Sequence, residues 1–226
     1  MVSAPSEPTS ALADEMALAL LARLSSLKMA NPPRRIACLG ARFDVTFAAL
    51  RVQYPDAVWV DAGDGSNADL ILGMPVAAAN FAPCDTATFR DVKNALAGGG
   101  VFLFATLGPQ TLLPLQSLCS PATTPHVFAS WPTLVDLGNA LVAAGLTKPV
   151  LDREILTFTY ADAADALDEL RQDGWFNAAS HAADAARLLT VADGSAASSF
   201  EIFYGVAWNA SSVAKPLSWQ PLRFDR

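Results

Sequence analysis

Charge is scarce in this chain and histidine is nearly absent. Of 226 residues, 16% are Asp, Glu, Lys or Arg, and two are histidine. The 22 acidic side chains outnumber the 15 basic ones, for a net charge of −7. The densest basic spot is Arg34-Arg35, at the head of an apolar run. Without a Lys/Arg cluster there is nothing to hold a phosphate backbone or an anionic bilayer, so no nucleic acid and no membrane is expected as a partner. The three cysteines, Cys38, Cys84 and Cys119, are far apart and show no C-x-x-C spacing. With His126 and His181 as the sole histidines, no zinc set can be assembled and no metal site is expected. Reduced thiols of this kind fit a cytoplasmic protein. No G-x-S-x-G, H-E-x-x-H or P-loop occurs.

One stretch lacks charge altogether, from Asn94 to Val135. It is cut by Gly98-Gly99-Gly100 and by Pro109, Pro114, Pro121, Pro125 and Pro132, so it cannot form a spanning helix. The first ten residues are Ser/Pro-rich and carry no basic leader, so they are expected to be flexible and no secretion is signalled. What the chain has in quantity is apolar side chains, 52% of the total, enough for a sizeable core. No repeat or linker divides residues 11–226, which are expected to form a single domain.

Leu12, Met16, Leu20, Leu24 and Leu27 recur at spacings of four and three, predicting an amphipathic helix that Asn31-Pro32-Pro33 stops. Short apolar runs then predict strands over 36–40, 57–61, 68–73, 100–106, 150–160 and 199–208. Helices are predicted over 43–53, 85–96 (capped by the triple glycine), 133–144, 161–172 and 180–189. Strand–helix alternation with strands apolar on both faces predicts a mainly parallel, doubly wound α/β sheet. The last strand sets Phe200, Ile202, Tyr204, Val206 and Trp208 on one face and Glu201, Phe203, Gly205 and Ala207 on the other.

Residues 98–109, GGGVFLFATLGP, with Gln110-Thr111-Leu112 after them, resemble the fifth-strand region of the malonyl-acyl-carrier-protein O-methyltransferases of biotin synthesis. The resemblance runs on through Val135–Gly145, Pro149–Asp152 and Leu156–Tyr160 to Phe203-Tyr204-Gly205-Val206-Ala207-Trp208 and Arg223-Phe224-Asp225, covering roughly residues 95–226. It implies the Rossmann-like fold of a class I S-adenosylmethionine methyltransferase, with a final antiparallel strand and S-adenosylmethionine as cofactor. In that family the first strand ends in a glycine-rich bend against the cofactor, and an acid after the second strand holds the ribose. The positions here that match are Gly40 and Asp61, the residual cofactor-binding candidates. Arg42 and Phe43 replace the other small residues.

Between the second strand and the one at 68–73 the family carries a third strand, a helix and an adenine loop, whereas only Ala62 to Asn67 stand here. A parallel crossover with a helix needs a dozen or more residues, so the third strand is expected to be missing. Six residues reach about 20 Å, enough for a bare crossover, and a hairpin through Gly63-Asp64-Gly65 is the rival. His126 is not followed by the family's Asn-Arg-Phe, and Arg153 and Lys148 are the nearest cations. Two functions follow. One is a degenerate, non-catalytic relative, partner or regulator of a complete methyltransferase, held at the sheet edge that the missing strand exposes. The other is an active methyltransferase acting on a malonyl thioester carboxylate. The cleft is expected to be closed by Arg42 pairing with Asp61 and by Phe43 folding inward, with a partner at the edge.

Overall fold

The computed structural model describes residues 11–29, 31–40, 44–63, 65–74, 84–118, 131–175 and 182–210. In chain order its elements are α1 (Ala11–Ser26), β1 (Arg35–Gly40), α2 (Asp44–Gln53), β2 (Val58–Trp59), β3 (Ala68–Met74), α3 (Thr86–Ala95) and β4 (Leu96–Leu107). They continue with α4 (Leu113–Gln116), α5 (Leu134–Ala143), β5 (Leu146–Tyr160), α6 (Ala163–Gln172), α7 (Ala182–Leu189) and β6 (Ala196–Asn209). The six strands form one sheet in the order β2-β1-β3-β4-β6-β5. β6 alone runs against its neighbours β4 and β5; the pairs β1–β2, β1–β3 and β3–β4 are parallel.

Alternation along the strands explains why helices cover both faces. Ile36, Leu70, Leu72, Leu103 and Tyr204 point into one core, which α1, α2, α6 and α7 close with Leu20, Leu50, Leu167 and Leu189. Ala37, Ile71, Phe102, Phe104 and Phe203 point the other way, into a core that α3 and α5 close with Phe89, Leu137 and Leu141. A strand apolar on both sides has no face to offer water, so it must lie inside a layered sheet. Helix starts are fixed locally: the carboxylates of Asp85 and Asp162 accept N–H groups of the first turn, and Thr133 with Asp136 forms a capping box.

The connection from β2 to β3, residues 60–67, is a crossover, not a hairpin. Ile36 of β1 pairs Trp59 on one side and Leu70 on the other, so β2 and β3 flank β1 and run with it. The connection is tied down by Ser66, whose hydroxyl donates to the Ala95 carbonyl at 2.8 Å, and by Asp69, whose carboxylate accepts the Arg34 and Arg35 N–H groups at 2.8 and 2.9 Å. No strand lies between residues 60 and 67 among those described.

The triple glycine does something other than cap a helix. α3 ends at Ala95, the strand begins at once, and Gly98 to Gly100 lie inside β4. A side chain at Gly100 would meet the Ala68 carbonyl oxygen at 2.8 Å, so the strand needs glycine to approach β3.

Candidate crevice at the strand ends

After β1 the chain turns through α2 on one face to reach β2; after β3 it turns through α3 on the opposite face to reach β4. Where chains leave neighbouring strands in opposite directions, their carboxyl ends bound a crevice, and in open α/β sheets that crevice takes the ligand. Here it lies between β1 and β3, at the paired ends Gly40 and Met74.

Gly40 is the last residue of β1, and Asp61 follows the short β2 on the same side of the sheet. They are not level. Trp59 pairs Ile36, so continuing that register sets Asp61 beside Cys38, short of Gly40. Asp61 is exposed, with no hydrogen bond or ion pair among the described residues. Arg42, Phe43, His126 and His181 lie outside the described residues. On the β4 side, Cys84 donates through Sγ to Thr106 Oγ1 at 3.3 Å. Burial pushes the Cys84 thiol up, with the Thr106 hydrogen bond opposing. No three His, Cys, Asp or Glu side chains gather as a metal site among the described residues.

The sequence reading missed Glu201. It sits in an apolar strand, 3% exposed, and its carboxylate has two partners. One oxygen accepts from Arg153 Nε and the other accepts the Gln110 N–H at 2.8 Å. Arg153 also donates to Gln110 Oε1 at 2.8 Å. Thr111, itself buried, donates through Oγ1 to the Glu201 carbonyl and accepts the Glu201 N–H, both at 3.1 Å. Gly108 and Leu112 complete the attachment by donating N–H groups to the carbonyls of Glu201 and Ser199. The turn Leu107-Gly108-Pro109-Gln110-Thr111 is thus stapled to β6. Arg153, one of the nearest cations to His126 in the sequence, is spent on that staple. A lone carboxylate inside an apolar strand was the available signal, since a buried charge requires partners.

No helix among the described residues is long and apolar enough to cross a membrane. No family model matches the chain. It is similar to the malonyl-[acyl-carrier protein] O-methyltransferase of Xylella fastidiosa, 35% identical over 138 residues, which are 55% of this chain and 46% of that protein. The enzyme of the same name from a Methylovorus species is 32% identical over 149 residues, 60% of this chain and 50% of the relative. The chain spans about half the length of the curated relatives it matches. Among solved structures, the YcgJ protein of Bacillus subtilis superposes with a TM-score of 0.56 at 11% identity, covering 86% of this chain and 99% of that one. A Bacillus halodurans protein described as a methyltransferase gives 0.54 at 12% identity, covering 85% and 99%. The latter two are likenesses of fold. The sequence resemblance holds for about half of this chain.

Proposed function

We propose that this chain is a non-catalytic relative of the malonyl-acyl-carrier-protein O-methyltransferases, acting in the cytoplasm as a partner or regulator of a complete methyltransferase. The observation that carries the reading is the bare crossover over residues 60–67 beside a β2 of two residues. S-adenosylmethionine is the cofactor the relatives imply, and the described residues do not fit it well. Gly40 and Asp61 are the positions that would touch it. Yet Asp61 stands lower than Gly40 and is exposed, and among the described residues β2 is the last strand of the sheet on that side. Binding energy for an adenosine moiety needs walls on both sides of the ring system.

The same crossover supports a protein partner. Among the described residues β2 is the edge of the sheet, the place where another chain can extend it. Val58 on that edge is 58% exposed and Val52 of the neighbouring α2 is 83% exposed.

Calorimetric titration with S-adenosylmethionine and with S-adenosylhomocysteine is expected to give no saturable heat at ligand concentrations on the order of 1 mM. A dissociation constant in the micromolar range, or transfer of a labelled methyl group to malonyl-acyl-carrier protein by the purified chain alone, would overturn the proposal in favour of an active methyltransferase. The edge is tested separately. Val58→Asp is expected to abolish co-elution with a purified, complete malonyl-acyl-carrier-protein O-methyltransferase, and co-elution that survives it removes β2 as the docking edge.

A further inference from the structure

A second cavity lies away from the strand-end crevice, between the carboxyl-terminal half of α1 and the sheet. It is an open groove of about 440 Å³, a size that suits a small ligand. Two rungs of the sheet line it. Leu103, Val206 and Val150 are register partners across β4, β6 and β5, and Tyr204 pairs Asp152 two rungs along, on the same face. Arg23 and Leu27 of α1 face them.

Tyr204 is 3% exposed, and no hydrogen bond reaches its hydroxyl among the described residues. A buried hydroxyl left unpaired costs about 1–3 kcal/mol, so it calls for a partner. Burial, and after it the carboxylate of Glu154, push the Tyr204 phenol up, so at neutral pH the hydroxyl is intact and can both donate and accept. The ring face is in use: the guanidinium of Arg23 stands 3.6 Å over its centroid. Arg23 also donates to Asp152 at 2.8 Å, lies 3.5 Å from Glu154 and donates to the Ala19 carbonyl at 3.3 Å. Glu15 adds a third carboxylate to the field at the phenol. Of these groups Asp152 and Arg23 line the cavity, and Glu154 joins their ion-pair cluster beside it.

We infer that this cavity is a binding site for a small apolar amine. The apolar part lies on Leu103, Val150 and Val206; the ammonium nitrogen donates to the Tyr204 oxygen and shares the Asp152 carboxylate with Arg23. The charge balance sets the sign of the ligand: Arg23, the cation of the lining, is shared between Asp152 and Glu154, so an anion would meet Asp152 with no free positive partner. The Arg23–Tyr204 contact is the protein's own example of a cation against this ring. The inference stands apart from the reading of the strand-end crevice and does not require S-adenosylmethionine to bind or to fail.

Isotope-labelled protein is titrated with 2-phenylethylamine and, in parallel, with phenylacetate, which exchanges the ammonium for a carboxylate. The amine is expected to shift the resonances of Leu103, Tyr204 and Val206 saturably, with a dissociation constant on the order of 1 mM or tighter. Phenylacetate is expected to bind at least about tenfold more weakly. Val150→Trp blocks the space from an exposed position and is expected to abolish the shifts without altering the fold. Arg23→Ala removes the competing cation and is expected to strengthen amine binding several-fold. Equal affinity for the two probes, amine binding that survives Val150→Trp, or no saturable shift in the wild-type protein would each overturn the assignment.

Discussion

Gly205→Ala is expected to lower stability by about 3 kcal/mol or more, one of the largest losses available to a single methyl group in this protein. Gly205 stands opposite Phe104 across the β4–β6 pair. A Cβ there would lie 2.3 Å from Cζ and 2.4 Å from Cε1 of Phe104, and 2.9 Å from a Leu151 methyl. The ring cannot yield. It stacks on Phe102 with centroids 4.7 Å apart and meets Phe89 at 5.7 Å, and a side chain at Gly73 would already touch Phe102 at 2.9 Å. Interiors packed to this density transmit a small insertion as strain in several residues. For a chain of this length, 3 kcal/mol is roughly 6–12 °C in melting temperature. Phe104→Ala is destabilising by itself through the cavity it leaves, but it makes room for the methyl. Gly205→Ala is therefore expected to cost at least about 1 kcal/mol less in the Phe104→Ala background. Urea midpoints of the four proteins check this, and strict additivity would show that the ring is not what excludes the side chain.

Such fits explain which parts of the structure were legible in the sequence. Gly205 was placed on the face with Phe203 and Ala207 by counting alone, and the two cores confirm the alternation. The crossover was legible too, because Ala62 to Asn67 are too few for a helix and the chain's reach is fixed by its covalent geometry. The ring that needs Gly205 to be small was not legible, since Phe104 is a hundred residues away in sequence. α4 was missed because four residues beginning Leu113-Pro114 carry no period to read. β5 starts at Leu146, earlier than the apolar run suggested, because Lys148 takes a positive φ and the ladder shifts register between Thr147 and Val150. The pattern therefore became regular only after Pro149.

At the strand ends, the place of Gly40 in the fold was legible and its level relative to Asp61 was not. A Gly at the end of the first strand and an Asp after the second are local features, and the sheet does set Gly40 and Asp61 on one side. Their difference in level comes from the pairing of Trp59 with Ile36, a non-local fact that no residue in either segment announces. Glu201 shows the same limit more sharply. Its partners Arg153 and Gln110 are 48 and 91 positions away, and nothing in Phe200-Glu201-Ile202 says which of the chain's cations or N–H groups will answer it.

The Glu201 staple gives the other large expected effect, and its chemistry allows a test that separates hydrogen bonding from packing. The carboxylate faces two donors, Arg153 Nε and the Gln110 N–H, with one oxygen for each. An amide of the same shape has one acceptor and one donor, so Glu201→Gln must set N–H against N–H on one side. Removing one partner of a fully buried ion pair costs about 3–5 kcal/mol. The Arg153 side chain is 44% exposed and can rehydrate, which reduces the expected loss to about 2–3 kcal/mol for Glu201→Gln and Glu201→Ala alike. If the side chain mattered only as packing, the amide would be nearly neutral. Gly108 supplies the independent arm. A Cβ at Gly108 would lie 2.4 Å from Glu201 Oε2 and 2.7 Å from its Cγ and Cδ, so Gly108→Ala is expected to destabilise the protein by pushing the carboxylate off its donors. With Glu201→Ala in place there is nothing left to push, and Gly108→Ala is expected to cost little. Amide exchange should report the same event locally, with protection falling at Gln110, Thr111 and Leu112, whose turn the carboxylate and its backbone hold. A neutral Glu201→Gln, or a Gly108→Ala whose cost is the same with and without the carboxylate, would show that the turn after β4 is held by its backbone bonds to β6 and not by the buried charge.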